Sequence, residues 1–413
     1  MFIFSPFVVV QTRDPTAPEK ANSVLRLMEY AYGQGLTEVQ ADLACFRSIL
    51  LTAGKRPTSD NLGSIVDDIL AKMDERFIAP DAVCYGAAIR TWKNNALVEG
   101  LPSGSRDRSV RRTLELLDEM KDARYKLGDE EVAVSTSNVN DAIEVLKVSS
   151  DPEKYEVAET LLYSLEQQLV EGNVESSLDP SPDADSYRLT IQVLAATRSD
   201  DKIDRGLVLL QRMKDHYEKG VLARSSKPQV VAVFTSAVKL CGHARVRSRE
   251  EGLEVFRKAL ACVDGMRELV GLRPDATCYA ALLEACRCLL PVGPDRQQIL
   301  EHVFRLCCED GMVDDNVLQQ LLKASTDELY ARLVIVHSTI VEDVKMVPEH
   351  WTRNALGRKV ISADGRKTIP LGIDGRLTVT RAMREFQNRR IADKRNQKLL
   401  RGGRLRRPGS IVG

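Results

Sequence analysis

Pro80-Asp81-Ala82-Val83-Cys84-Tyr85, Pro182-Asp183-Ala184-Asp185-Ser186-Tyr187 and Pro274-Asp275-Ala276-Thr277-Cys278-Tyr279 are three copies of one phrase, PDAxxY. An apolar run at helical spacing follows each: Ala88, Ile89 and Trp92, then Ile191, Val193 and Leu194, then Leu282, Leu283 and Cys286. The Pro-Asp pair has a mechanical meaning. Proline cannot continue the preceding helix, and it holds the residue before it extended. The aspartate can then accept the orphan N–H groups of the next helix. Each copy is therefore a stop followed by a start. A weaker copy is Ala41-Asp42-Leu43-Ala44-Cys45-Phe46, and another is Lys227-Pro228-Gln229 leading to Phe234, Ala237 and Val238.

Between the copies lie one-sided apolar stripes of period 3.6, which a single helix cannot bury alone. They are Val110/Leu114/Leu117/Met120, Ala158/Leu161/Leu162/Leu165/Leu169, Ile203/Leu207/Leu210/Met213 and Leu253/Phe256/Leu260/Val263. A second helix thus follows each first one, and successive hairpins complete one another's core. The expected fold is all-α: an α-solenoid of about six or seven antiparallel hairpins between Pro18 and Ser325, with an irregular period of about 40–50 residues. Residues 98–109, 171–182 and 219–228, rich in Gly, Ser, Pro and charge, read as loops. The organisation expected is a short apolar segment over 1–17, a repeat array over 18–347 and a basic tail over 348–413. Asp364-Gly365 and Asp374-Gly375 between short apolar runs predict a β-hairpin within 358–378. A basic helix is expected over 380–400, and the end is expected to be disordered.

Charge is distributed unevenly. The 413 residues carry 59 Lys/Arg and 59 Asp/Glu. From Thr352 onward stand 17 basic and 4 acidic residues, leaving 42 and 55 before it. An acidic body therefore carries a basic tail, a pattern suited to nucleic acid, to an acidic partner or to the body itself. The opening Met1–Val10 is too short to span a membrane and lacks the features of a secretory or organellar leader. Nine cysteines without paired spacing, several inside helical stripes, read as packing in a reducing compartment. Neither Cys286-x-Cys288 nor Cys307-Cys308 has zinc-site spacing. No phosphate-binding glycine loop, nucleophile elbow or metalloprotease helix occurs, so neither an enzyme, a cofactor nor a small-molecule substrate is expected.

Pro80-Asp81 through Ile89, Leu116-Leu117-Asp118-Glu119-Met120 and Leu272-Arg273-Pro274-Asp275 through Leu283 resemble the pentatricopeptide repeat over roughly residues 18–325. Gly311-Met312-Val313-Asp314, before Val317 and Leu321, is similar to the junction between two such repeats. The resemblance implies single-stranded RNA as partner, and a role in mitochondrial or plastid RNA processing, stability or translation. It implies that the residue after the Tyr and the residue at the repeat's end face one base. In this chain the first set is Arg47, Gly86, Arg188 and Ala280. Asp81 ends the repeat of Arg47, and Gln229 that of Arg188. Gly86 and Ala280 offer no side-chain hydrogen bond to a base, which argues against sequence-specific reading.

In the tail, Arg389, Arg390, Lys394 and Arg395 could grip phosphates without sequence preference, or dock on acidic protein. Trp92 follows its helix's apolar periodicity and reads as core, and Trp351 reads as an anchor at the junction of body and tail. The alternative to RNA binding is a protein–protein scaffold with acidic repeats. A continuous positive strip along the first helices would favour RNA, and an acidic one would favour the scaffold.

Overall fold

The computed structural model describes residues 17–36, 39–54, 62–127, 132–170, 180–222, 224–269, 271–337, 339–341, 344–355, 360–361 and 368–369. The body is all-α. After α1 (Ala17–Gly33) the helices come in pairs: α2 (Leu43–Gly54) with α3 (Leu62–Glu75), α4 (Ala82–Ala96) with α5 (Ser103–Leu127), and α6 (Thr136–Leu146) with α7 (Lys154–Val170). Then come α8 (Ala184–Ala195) with α9 (Lys202–Glu218), α10 (Lys227–Gly242) with α11 (Arg249–Glu268), and α12 (Ala276–Leu289) with α13 (Pro294–Glu309). Last are α14 (Asp315–Ala324), the single turn α15 (Asp327–Tyr330) and a π turn, Ala331–Ile335. Two compact units divide within α10, at Val233 and Phe234.

One device starts these helices. The carboxylates of Asp42, Asp81, Asp183, Asp275 and Asp314 accept from the backbone N–H three residues on: Cys45 and Cys84 at 2.9 Å, Ser186, Cys278 and Val317 at 2.8 Å. Ser135 does the same for Asn138 in a reciprocal capping box at α6. The cap satisfies a donor that the first turn leaves orphaned, worth about 1 kcal/mol each.

Packing follows the pairing. In the first unit the first helices touch in succession, α2 on α4, α4 on α6, α6 on α8, and each also packs on its own second helix. In the second unit α12 packs on α11, α13 and α14. The buried ridges are those the periodicity marks, with Leu117, Met120, Leu162, Leu165, Leu210, Met213, Phe256 and Val263 all inside. Trp92 is core as expected. It lies against Gly63, where a Cβ would fall 2.6 Å from the ring, and its Nε1 donates to Asp67 at 3.2 Å.

Several expectations change. The loop read over 98–109 is mostly helix, because α5 already begins at Ser103 and buries Ser109 and Val110. Gly and Ser composition there was outweighed by a face that α4 covers, with Asn95 donating to Ser109 at 3.2 Å. Residues 348–355 do not leave the body as a tail. The turn α16 (Glu349–Thr352) packs on α13, and Trp351 stands edge-on to Phe304 at 5.5 Å. Val313 N–H donates to the Trp351 carbonyl at 2.9 Å. Asn354 and Ala355 N–H donate to Gly311 O, and Arg353 reaches the Glu309 carbonyl at 2.9 Å. The ragged end of α13 is thereby satisfied.

Strands β3 (Val360–Ile361) and β4 (Thr368–Ile369) pair antiparallel within the 358–378 stretch where a hairpin was expected, and Asp364-Gly365 between them lies outside the described residues. The sequence pattern did not foresee the hairpin β1 (Thr339–Val341) and β2 (Val344–Met346). The apolar segment 1–17 (apart from Ala17), most of 171–182, the second Asp-Gly turn and the basic helix expected over 380–400 lie outside the described residues. Among the described residues no helix is long and apolar enough to cross a membrane.

Two measurements test this scheme. Replacing Gly311 (φ +68°) by Ala combines a left-handed backbone with a Cβ 2.5 Å from Arg353 Cγ. A loss of about 1–3 kcal/mol in chemical denaturation is expected. Asp275→Ala should cost about 1 kcal/mol and Asp275→Asn much less, because Asn still accepts the Cys278 N–H.

Candidate nucleic-acid interface

Because a capping residue fixes these helix starts, the fifth residue after it falls at one equivalent place on the capped first helices. Counting from Asp42, Asp81, Asp183 and Asp275, that residue is Arg47, Gly86, Arg188 and Ala280. The structure adds two that the sequence pattern hid. From Ser135 the fifth residue is Asn140, with Val139 in the place of the Tyr, and from Asp314 it is Gln319. The α6 copy lacks both Pro-Asp and an aromatic. Its legible signal was the Ser135-x-x-Asn138 box ahead of Val139, Ile143 and Leu146.

These residues do not stand free. Arg47 donates from Nη2 to Asp81, the residue capping the next first helix. Asn140 donates to the carboxylate of Asp183, again the next cap, at 3.1 Å. Arg188 Nε donates to Asp185 at 2.7 Å, and Gln229 donates to the other oxygen of that carboxylate at 2.9 Å. Gly86 faces Asn138, whose Nδ2 would be 3.0 Å from a Cβ there. So the two members of each expected pair are brought together, directly for Arg47 with Asp81 and through Asp185 for Arg188 with Gln229. Arg389, Arg390, Lys394 and Arg395 lie outside the described residues.

Further along the same helices the ladder continues. Lys93 on α4 donates to Asp141 at 2.7 Å and Glu144 at 3.1 Å on α6, and Arg90 stands 3.6 Å from Asp141. Lys147 reaches Glu144 at 3.1 Å and Gln192 on α8 at 3.3 Å. Burial alone would lower the Lys93 pKa, but Asp141 and Glu144 outweigh it and raise the group above its ordinary value. Burial likewise raises Glu144, yet Lys147 and Lys93 hold it below the usual carboxylate value. For Asp81, burial is outweighed by the Cys84 N–H and Arg47, so it too is depressed. Among the described residues the first helices of this unit therefore carry neither a continuous positive strip nor an acidic one: opposite charges meet across the α2–α4 and α4–α6 seams, and a charged group meets an amide across α6–α8.

The motif tyrosines point the other way, into the seam with the second helices. Tyr187 OH donates to Glu166 of α7 at 2.7 Å and lies 2.5 Å from His216 Nδ1 of α9. Arg212 holds the same Glu166. Tyr279 OH donates to Asp310, and Arg267 of α11 bonds both Tyr279 OH at 2.7 Å and Asp310 at 2.9 Å. Burial and the facing carboxylate push both phenols far up, so they stay neutral and act as clamps. Cys84 and Cys278 sit beside these tyrosines, where burial pushes each thiol up to about 12. They are packing groups rather than nucleophiles.

No protein-family model matches the chain, and no curated protein is significantly similar to it.

The ladder makes a pH prediction. Asp81 and Glu144 have folded pKa values below their ordinary 3.8 and 4.5. Their contribution to stability is complete above those ordinary values and is lost as pH falls through the depressed ones. Urea unfolding followed from about pH 6 to about pH 3 should show falling stability. The double variant Asp81→Asn, Glu144→Gln should start lower and fall less steeply.

Proposed function

We propose that the protein is a non-catalytic, RNA-binding helical-repeat protein. In this reading the hairpins of each unit stack as an α-solenoid of pentatricopeptide type, serving RNA processing, stability or translation. One observation carries it: residues that the repeat resemblance assigns to a common base, far apart in sequence, are neighbours across successive first helices, as Arg47 is to Asp81. That juxtaposition is what a row of base-facing pairs requires.

The chemistry of the row shapes the mode of binding. Its cations are matched by carboxylates within the seams, so phosphate neutralisation falls to the tail, with its excess of 13 positive charges from Thr352 onward. Arg389, Arg390, Lys394 and Arg395 would hold the backbone while the row meets bases with little sequence preference. A second reading, the protein-binding scaffold, draws support from the same matched charges, since a surface of alternating sign suits another protein as well as a polyanion.

Crosslinking to RNA in cells separates the two. The full chain should recover RNA. A chain ending at Ala355 keeps Trp351 in place and should lose most of it. Replacing Arg389, Arg390, Lys394 and Arg395 by Gln should reduce the slope of log affinity against log salt by about 3, roughly 0.7 per lost phosphate contact on a single strand. Recovery of no RNA above background by the full chain would leave the scaffold as the reading.

A further inference from the structure

The last hairpin carries a cleft that the repeat row does not use. Its volume is about 340 Å³, at the small end of the range for small-molecule sites. One wall is the exposed face of α13, with Glu301, Arg305, Cys308 and Glu309 above Phe304. The other wall is Arg332 and Leu333 of the π turn, then His337, His350 and Trp351.

The two ends of the cleft differ chemically. Trp351 makes an aromatic corner with Phe304, edge-on at 5.5 Å, and with His337, tilted at 5.7 Å. Leu333 lines the same recess of the cleft. At the mouth, one carboxylate serves two guanidiniums: Glu301 takes Arg305 at 3.2 Å and Arg332 at 2.6 Å. Both arginine side chains are about two-thirds exposed, at 65% and 62%. With five N–H donors each, they retain hydrogen-bonding capacity after meeting Glu301. Arg353, bonded to the Glu309 carbonyl, adds a third cation beside this wall.

We propose that this cleft seats one nucleotide of single-stranded RNA, with its base against Trp351, His337 and Leu333 and its phosphate on Arg305 and Arg332. The inference rests on the RNA-binding reading and names a place for a strand on the second unit, outside the row of paired first-helix residues. Aromatic stacking tolerates any base, and the guanidinium pair supplies the charge. The cleft is a grip rather than a reader.

The chain has only two tryptophans: Trp92 is buried against Gly63 and Asp67, and Trp351, though only 9% exposed, is the one that lines the cleft. Trp351 fluorescence is therefore a local probe. The full chain is titrated with uridine 5′-monophosphate, with uridine, with inorganic phosphate and with a short oligouridylate. Saturable quenching by the monophosphate and the oligonucleotide is expected, tighter than by uridine or phosphate alone. Arg305→Gln with Arg332→Gln, both at exposed positions, should weaken it about ten-fold or more. Leu333→Trp, which fills the recess, should abolish binding measured calorimetrically. Three results overturn the proposal: no saturable change, equal response to inorganic phosphate, or unchanged affinity in both variants. If RNA crosslinking of the full chain persists in any of those cases, the cleft assignment falls and the RNA reading stands.

Discussion

The aspartate cap is the constraint on which the architecture turns. A helix start left to propensity alone can slide by a residue or two, because neighbouring starts cost nearly the same. A carboxylate bonded to the N–H three residues on removes that freedom, as at Asp81 with Cys84 and Asp275 with Cys278. Everything else is then counted from it. The fourth residue after the cap, Tyr187 or Tyr279, is sent into the seam with the second helices. The fifth, Arg47 or Arg188, is sent toward the neighbouring first helix. Proline before the cap prevents the previous segment from running on.

Two polar systems hold the hairpins in register on opposite sides of that row. Inside, each neutral tyrosine hydroxyl bridges the second helices on either side of it: Tyr187 joins Glu166 of α7 to His216 of α9, and Tyr279 joins Arg267 of α11 to Asp310 after α13. A buried hydroxyl left without a partner would be costly, so the bridges select one spacing of helices. Outside, Lys93, Asp141, Glu144 and Lys147 form a chain of charge across two first helices, and Lys147 extends it by a hydrogen bond to the neutral Gln192 of a third. Partly exposed ion pairs of this kind contribute little stability singly. Their effect is to match neighbouring first helices and to offset one another's charge along the row.

The last hairpin ends in a different way. Among the described residues, α13 is followed by α14 and the short turn α15 rather than by another full hairpin. Trp351 and the Val347–Ala355 segment pack there, satisfying the carbonyls of Glu309, Asp310 and Gly311. The same segment forms one wall of the cleft beside α13, so packing of that segment and formation of the recess are one structural event.

The sequence by itself determined the all-α class and those helix starts that carry a Pro-Asp or Asp cap, though not the starts at Ser103 and Thr136. Pro-Asp phrases, period-3.6 stripes and the Gly311-x-x-Asp314 junction are local signals, carried by backbone chemistry within one turn of each residue. It also marked Arg47, Asp81 and Arg188 as neighbours of a shared surface. Tertiary structure alone decided what those residues do to one another. Whether Arg47 is a free cation or the partner of Asp81 depends on two helices separated by more than thirty residues. Asn140 was hidden because its helix lacks the Pro-Asp phrase and announces itself only by the fainter Ser135-x-x-Asn138 box; its bond to Asp183 depends on the packing of α6 on α8. The Gly-Ser stretch at residues 98–109 misled in the opposite sense, since burial of Ser109 and Val110 outweighed the local preference for a loop. The cleft was illegible as well. Arg305, Arg332, His337 and Trp351 share no spacing, and only the folding back of one segment on α13 brings them together.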